Sequence, residues 1–281
     1  MGWRPATSRR AADHASDSIP VTRERLQALA KAELHVHLDG SLRPATLLEL
    51  ARERNVPVPT SDPAVLERLV VAADAGSLER YLAAFDLTLA VMQDAPALER
   101  IAYELAAEVV RVLEVRYSPV LNTRRGLSLA DAVEAPIRGL ARAEAELGIR
   151  GSVIVCALRH LQPPLSLRLA KLAAHYRGRG VVGFDLAGPE RGHPARTHRA
   201  AFAVAAEAGL GITVHAGEAD GPESIRQALD KCHARRIGHG TRLPELCELL
   251  GVEQPAIERD PLLGPPAPGP GGRSRAGPPC D

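Results

Sequence analysis

Short apolar runs rich in valine and isoleucine alternate along this chain with longer segments in which apolar residues recur every three or four positions. Runs of the first kind predict buried β-strands, and segments of the second kind predict amphipathic helices. The strand candidates are residues 33–38, 112–119, 151–158, 181–188, 211–217 and 236–240. The helix candidates are residues 44–55, 78–93, 129–148, 164–177, 197–209 and 222–234. This alternation predicts an α/β fold in which crossover helices cover a parallel sheet.

The connection between the first two strands is longer than one crossover helix requires. We expect extra helices between about residues 55 and 95, where insertions often form a lid over the mouth of a barrel. Pro44 marks the start of a helix, and Gly148 and Gly209 mark the ends of two others.

The two ends of the chain differ in composition from its middle. Residues 261–281 hold seven prolines and five glycines, too many for a helix or an inner strand. We therefore divide the chain into a flexible N-terminal segment (1–21), an α/β domain (22–250) and a disordered Pro/Gly-rich tail (251–281).

Charge and cysteine usage narrow the possible partners and location. The net charge is +1, from 35 basic and 34 acidic side chains, so no positive field favours nucleic acid or anionic lipid. The four cysteines are widely spaced, and neither a signal-peptide core nor a membrane-spanning run is visible. We expect a cytoplasmic protein with a small-molecule partner, bound to neither nucleic acid nor membrane.

The stretch "ELHVHLDG" concentrates candidate chemistry on one strand. Alternate side chains of a strand share a face, so His35, His37 and Asp39 are predicted to project to one side. Leu34, Val36 and Leu38 are predicted to project to the apolar side. Two histidines hydrogen-bonded in a polar core would explain this motif equally well if it stood alone.

Three other strand ends carry similar residues, which favours a functional site. They are Asp185, His215 with Glu218, and His239. The active site of a (β/α)8 barrel gathers side chains from the carboxyl ends of several strands. A catalytic zinc commonly has three protein ligands, and His35, His37 and His215 would suit it.

Two of these residues have simpler explanations as well. Glu218 could transfer a proton, or it could be a carboxylate near a helix start. His239 could orient or deprotonate water, or it could occupy a tight turn between two glycines. Zinc lowers the pKa of bound water to about 7, so the combination predicts hydrolysis of a small molecule.

Four segments, "ELHVHLDGSLRP", "GFDLAGPE", "TVHAGE" and "RIGHG", resemble in order the signature segments of the adenosine deaminase family. The resemblance covers roughly residues 30–243 and includes "EVRYSP". It implies a TIM-type (β/α)8 barrel of the amidohydrolase kind. It also implies hydrolytic deamination of adenosine and deoxyadenosine to inosine and ammonia, with one Zn²⁺ per chain.

The resemblance also assigns roles to matching positions. His35, His37 and His215 resemble the metal ligands, with His37 also at the substrate. Glu218 resembles the proton donor to the purine ring and His239 the residue that activates water. The remaining substrate-binding positions are Asp39, which resembles the ribose contact, and Gly188, which resembles the backbone donor to the purine.

Part of the family pattern is absent after Leu243. Family members continue with two further strands and an "S-x-N-T-D-D-P"-like segment that supplies another zinc ligand. The similar string "ERDP" holds only Asp260, which we do not assign as a ligand. We expect a chain truncated or frameshifted after about residue 243, with about six of eight strands recognisable.

Two other functions remain open from the sequence. A sister purine deaminase would act on adenine or on a modified adenine nucleoside such as aminodeoxyfutalosine, although Asp39 favours a nucleoside. An inactive remnant would bind a purine or a partner subunit without turnover.

Overall fold

The computed structural model describes residues 21–71, 75–109 and 111–251. The predicted N-terminal segment and Pro/Gly-rich tail, including Asp260, lie outside the described residues except at Val21 and Gly251.

Six strands form one parallel sheet and confirm the six predicted from the sequence. They are β1 (Ala32–His37), β2 (Val112–Tyr117), β3 (Arg150–Leu158), β4 (Val181–Ala187), β5 (Gly211–Ala216) and β6 (Arg236–His239). Each strand pairs in parallel with the next along the chain, in the order β1-β2-β3-β4-β5-β6. Consecutive parallel pairing is the topology of a TIM-type barrel, which confirms the predicted fold class.

Eleven α-helices occur in the described residues. They are α1 (Arg23–Ala28), α2 (Pro44–Glu53), α3 (Pro63–Val71), α4 (Leu78–Ala83), α5 (Phe85–Val91), α6 (Ala95–Val109), α7 (Leu129–Leu147), α8 (Pro163–His175), α9 (Arg199–Glu207), α10 (Pro222–Cys232) and α11 (Leu243–Leu250). Short 3₁₀ helices occupy Pro119–Asn122 and Ala195–His198. The expected insertion after β1 is confirmed as α3, α4 and α5.

Residues 78–93 do not form the single helix that their period predicts. The backbone N–H of Ala84 donates to the Tyr81 carbonyl three residues back, so α4 ends and α5 begins there. One tighter turn leaves the spacing of apolar residues almost unchanged, and the sequence pattern therefore does not reveal it.

The core lies between the sheet and the helices that cover it, with Val115, Val153 and Phe184 fully buried on the strands. The prediction of an apolar face for β1 holds only in part, because Leu38 is buried whereas Leu34 is 43% exposed. β1 ends at His37, so Asp39 follows the strand, and its Oδ1 lies 4.0 Å from His37 Nδ1.

Cys156, Cys232 and Cys247 are buried free thiols. Within the described ranges, no helix has the length and apolar character needed to cross a bilayer. The cytoplasmic location stays a prediction.

Candidate metal centre and active site

Three imidazoles converge at the carboxyl ends of β1 and β5. The Nε2 atom of His215 lies 3.0 Å from Nε2 of His35 and 3.0 Å from Nε2 of His37. Nitrogens that share a tetrahedral zinc at ordinary bond lengths lie about 3.3 Å apart. The donor set and its spacing therefore fit a zinc ion.

A buried carboxylate lies behind His215 and orients its ring. Asp185 Oδ2 is 3.1 Å from His215 Nδ1, which leaves Nε2 directed at the other imidazoles. Arg116 donates through Nη1 to Asp185 Oδ2 at 2.7 Å and through Nη2 to the Leu34 carbonyl at 2.7 Å. Burial alone would raise the pKa of Asp185, but the nearby His215 and Arg116 hold it well below its ordinary value.

The imidazoles of β1 are held neutral, as metal ligation requires. Burial, followed by the proximity of His215, lowers the pKa of His35 to about 2. The same two causes lower the pKa of His37 to about 3.

His239 and Glu218 lie together at the edge of this cluster. His239 Nε2 is 3.5 Å from Glu218 Oε1, and its ring centroid is 5.0 Å from that of His35. The ligand atoms of His35, His215 and His239 lie within 4.8 Å of one another, so His239 is also close enough to ligate. Two candidate third ligands therefore flank the His35–His215 pair. His37 Nε2 is 3.0 Å from His215 Nε2, and the His239 ring centroid is 5.0 Å from that of His35, against 5.7 Å for the His37 ring.

Gly238 makes room for this arrangement. A Cβ atom at position 238 would lie 2.6 Å from Cε1 of His35, closer than real Cβ contacts. His239 follows with a φ of 65°, a left-handed conformation uncommon for a residue with a side chain. Backbone strain of this kind is concentrated at functional sites.

A cavity of about 540 Å³ opens onto the imidazole cluster. This volume suits a small organic ligand. The strand ends contribute Asp39, Gly188 and Glu218 to its wall, and the inserted helices contribute Tyr81 and Phe85. The seven residues to which the family resemblance assigns roles therefore line one cavity: His35, His37, Asp39, Gly188, His215, Glu218 and His239.

Two buried oxygen atoms in the cavity wall have no hydrogen-bond partner within the described ranges. They are Oδ1 of Asp39 and Oγ of Ser118. Since buried polar atoms are nearly always hydrogen-bonded, these atoms are suited to receive a ligand. Burial raises the pKa of Asp39 to about 6.

The structure adds residues to which sequence reasoning gave no role. The sequence offered a sign that Arg116 has a role, because a charged residue inside the apolar strand "VLEVRY" needs a buried partner. His160 also lines the cavity. Arg159 and Glu190 are buried beside the loop after β5.

The barrel sheet and the imidazole cluster at its carboxyl ends define the TIM-barrel amidohydrolase class. The sequence profile "Adenosine deaminase" matches residues 30–258, and the chain belongs to the adenosine deaminase family. The predicted family is thereby confirmed.

Named relatives match most of this chain but only part of their own length. The probable adenosine deaminase of Dictyostelium discoideum is 43% identical over 82% of this chain and 30% of its own length. The adenosine deaminase of Mycobacterium leprae is 42% identical over 80% of this chain and 65% of its own length. The chain thus spans less than two thirds of either relative.

Solved structures share the fold. An amidohydrolase from Burkholderia ambifaria with bound zinc aligns with a TM-score of 0.72 and 26% identity, over 84% of this chain and 67% of its own. Adenine deaminase from Arthrobacter aurescens aligns with a TM-score of 0.69 and 28% identity, over 78% of this chain and 67% of its own. The N6-mAMP deaminase of Arabidopsis aligns with a TM-score of 0.66 and 34% identity, over 77% of this chain and 67% of its own.

Proposed function

We propose that this chain carries the site of a zinc-dependent deaminase that hydrolyses adenosine and deoxyadenosine to inosine and ammonia. The observation that carries the proposal is the convergence of three imidazole Nε2 atoms beside Glu218 and His239, at the base of a cavity of suitable size. The adenosine deaminases to which the chain is similar support the choice of substrate.

His35, His37 and His215 would hold one zinc ion per chain. Three imidazoles, one of them backed by a carboxylate, form a donor set that zinc prefers. When bound, zinc makes water a strong nucleophile near neutral pH.

Glu218 and His239 are proposed to move protons in opposite directions. Burial raises the pKa of Glu218, so its carboxyl keeps a proton to higher pH and suits donation to a purine ring nitrogen. Burial lowers the pKa of His239 to about 4, so its imidazole is neutral and can accept a proton from the attacking water.

Asp39 and Gly188 are proposed to bind the nucleoside. The buried Oδ1 of Asp39, which has no hydrogen-bond partner among the described residues, would accept a hydrogen bond from a sugar hydroxyl, a group that the free base lacks. Gly188, at the end of β4 with a φ of 89°, would bring its backbone N–H close to the purine. Water adds to the purine and the exocyclic amine leaves as ammonia, so that adenosine and water give inosine and ammonia.

Zinc content and turnover of the purified full chain test this proposal. We expect His35→Ala and His215→Ala to lose zinc in elemental analysis and to stop the ultraviolet change from adenosine to inosine. His175→Ala is the control, because His175 is an exposed residue at the end of α8. Unchanged zinc content in both site variants would show that the metal assignment is wrong.

A second candidate is a sister purine deaminase. It is favoured by the likeness to adenine deaminase and N6-mAMP deaminase. Parallel assays with adenosine, adenine, N6-methyl-AMP and aminodeoxyfutalosine separate the two. Zinc without turnover of any of them would indicate a chain that binds but does not catalyse.

A further inference from the structure

The loop between β5 and α10 is bound to a single buried carboxylate. Glu190, which follows β4 and is 2% exposed, accepts backbone N–H groups from four consecutive residues of that loop. The donors are Gly217 at 2.7 Å, Glu218 at 2.9 Å, Ala219 at 2.6 Å and Asp220 at 2.9 Å. Ser224 Oγ donates a fifth hydrogen bond at 2.5 Å.

A buried guanidinium connects this carboxylate to the metal site. Arg159 Nη2 lies 3.9 Å from Glu190 Oε1 and donates to the His215 carbonyl at 2.5 Å. Its Nη1 donates to the His193 carbonyl at 2.8 Å. The same group therefore holds the end of β5 and compensates the charge that binds the following loop.

Helix capping does not account for these contacts. A capping carboxylate binds the first free N–H groups of a helix. The helix α10 begins at Pro222, which has no N–H, and the four donors to Glu190 all precede it. Glu190 thus fixes the loop, and Glu218 is the second residue of that loop.

We propose that Glu190 is a positioning residue whose carboxylate holds residues 217–220 so that Glu218 stays beside His239. This role rests on the proposed function, because it matters for turnover only if Glu218 donates the proton. A charge-assisted hydrogen bond is stronger than a neutral one, and four in a row leave the loop little freedom. Gly217 suits this path with a φ of 70°, where its missing Cβ avoids Ile225.

Amide hydrogen exchange on the full chain tests the anchoring without any need for activity. Glu190→Gln keeps the shape of the side chain but turns an acceptor oxygen into a donor that faces N–H groups. We expect exchange of amides 217–220 to accelerate roughly tenfold or more, as loss of charged hydrogen bonds predicts. The control is Glu223→Gln, whose exposed carboxylate contacts Arg226 and Gln227 instead.

Steady-state kinetics of the zinc-loaded variants test the positioning. Measured on the folded, zinc-loaded fraction at a temperature well below its unfolding transition, Glu190→Gln should lower kcat roughly tenfold to a hundredfold. We expect KM to change little, since Asp39 and Gly188 are untouched. A purely structural residue would lower the unfolding temperature but leave the kcat of the folded fraction intact.

Ser224→Ala provides a milder variant should Glu190→Gln fail to fold. It removes one hydrogen bond to Oε1 and keeps the carboxylate, so a smaller rise in exchange at 217–220 is expected. The proposal is overturned if exchange in both variants matches that of Glu223→Gln. If the unmodified chain turns over no purine, the proposed function fails, and the exchange result alone decides whether Glu190 anchors the loop.

Discussion

Gly238 provides space that the His35 imidazole occupies. An added methyl group would lie 2.6 Å from Cε1 of His35. We predict that Gly238→Ala displaces that ring and weakens zinc binding roughly tenfold or more, as misoriented ligands do. Competition with a chromophoric chelator measures the affinity.

Gly221→Ala is the matched control for this substitution. A methyl group at position 221 meets nothing within 4 Å, and the residue has an ordinary φ of −78°. Equal zinc affinity in the Gly238→Ala variant and this control would contradict the role of the missing side chain.

The unpaired hydroxyl of Ser118 gives a prediction about substrate affinity. Its Oγ lines the cavity and has no hydrogen-bond partner in the described part of the chain. Ser118→Ala should raise KM roughly threefold to tenfold, the effect of one lost hydrogen bond, with kcat almost unchanged. Ser152→Ala on β3, outside the cavity, should leave both constants as they are; a KM unaffected by Ser118→Ala would show that the hydroxyl does not contact substrate.

At the scale of residues, sequence reasoning identified groups whose chemistry and strand-end position agree. His35, His37 and His215 were foreseen because alternation and parallel topology bring them to one edge. Gly238 and Ser118 were not given these roles, since each depends on which atoms pack across from it. Such contacts join residues far apart in sequence and leave no periodic trace.

Close packing of α6 on α7 depends on Gly139. A Cβ atom at this position would collide with the Glu99 carbonyl oxygen of α6. Helix propensity alone predicts that Gly139→Ala stabilises the protein by about 1 kcal/mol. We expect the reverse, because forcing atoms into a packed contact costs about 1–3 kcal/mol or more. Urea unfolding shows whether Gly139→Ala raises or lowers the free energy of unfolding. A rise would refute this explanation.

Helices and strands were predictable where the hydrophobic period and the residue types at the ends of the segment agree. Pro44 begins α2 and Gly148 ends α7 with a φ of 69°, as their residue types indicate. Helix α6 was not predicted, although Leu98, Ile101 and Leu105 recur at helical intervals. The break at Ala84 could not be foreseen, because one altered hydrogen bond does not change the hydrophobic pattern.

Acid stability of the whole molecule should depend on Glu190. Burial alone would raise its pKa, but the Ser224 hydroxyl, the loop N–H groups and Arg159 bring the pKa below its ordinary value. A carboxyl whose pKa is lower in the folded state stabilises the protein above its unfolded pKa of about 4.3. That contribution is lost as pH falls through the folded pKa.

The predicted loss of stability on acidification is tested by measuring the free energy of unfolding of the unmodified chain and of Glu190→Gln at several pH values. Metal is removed from both proteins with a chelator. The difference between the two proteins should be largest near pH 7 and shrink below about pH 4. The control Glu223→Gln should show a much smaller dependence, since Glu223 is exposed. A difference that grows on acidification would contradict the assignment.

The order of the sheet was predictable at the scale of the molecule, because strict strand and helix alternation favours consecutive parallel pairing. For the inserted helices, the sequence predicted only the segment of the chain in which they lie. Which of their side chains face the cavity depends on tertiary packing, as Tyr81 and Phe85 illustrate.

The imidazole cluster also has a mechanical consequence. His35 and His215 are 180 positions apart, so an ion that they share would cross-link the first strand to the fifth and close most of the domain into a ring. Because the ion would bind the folded chain and could be withdrawn by a chelator, it would stabilise the folded state reversibly. Free zinc at a hundred times its dissociation constant would add about 2.7 kcal/mol of stability. Resistance to heat would therefore report the metal supply around the protein, independently of whether any nucleoside is present.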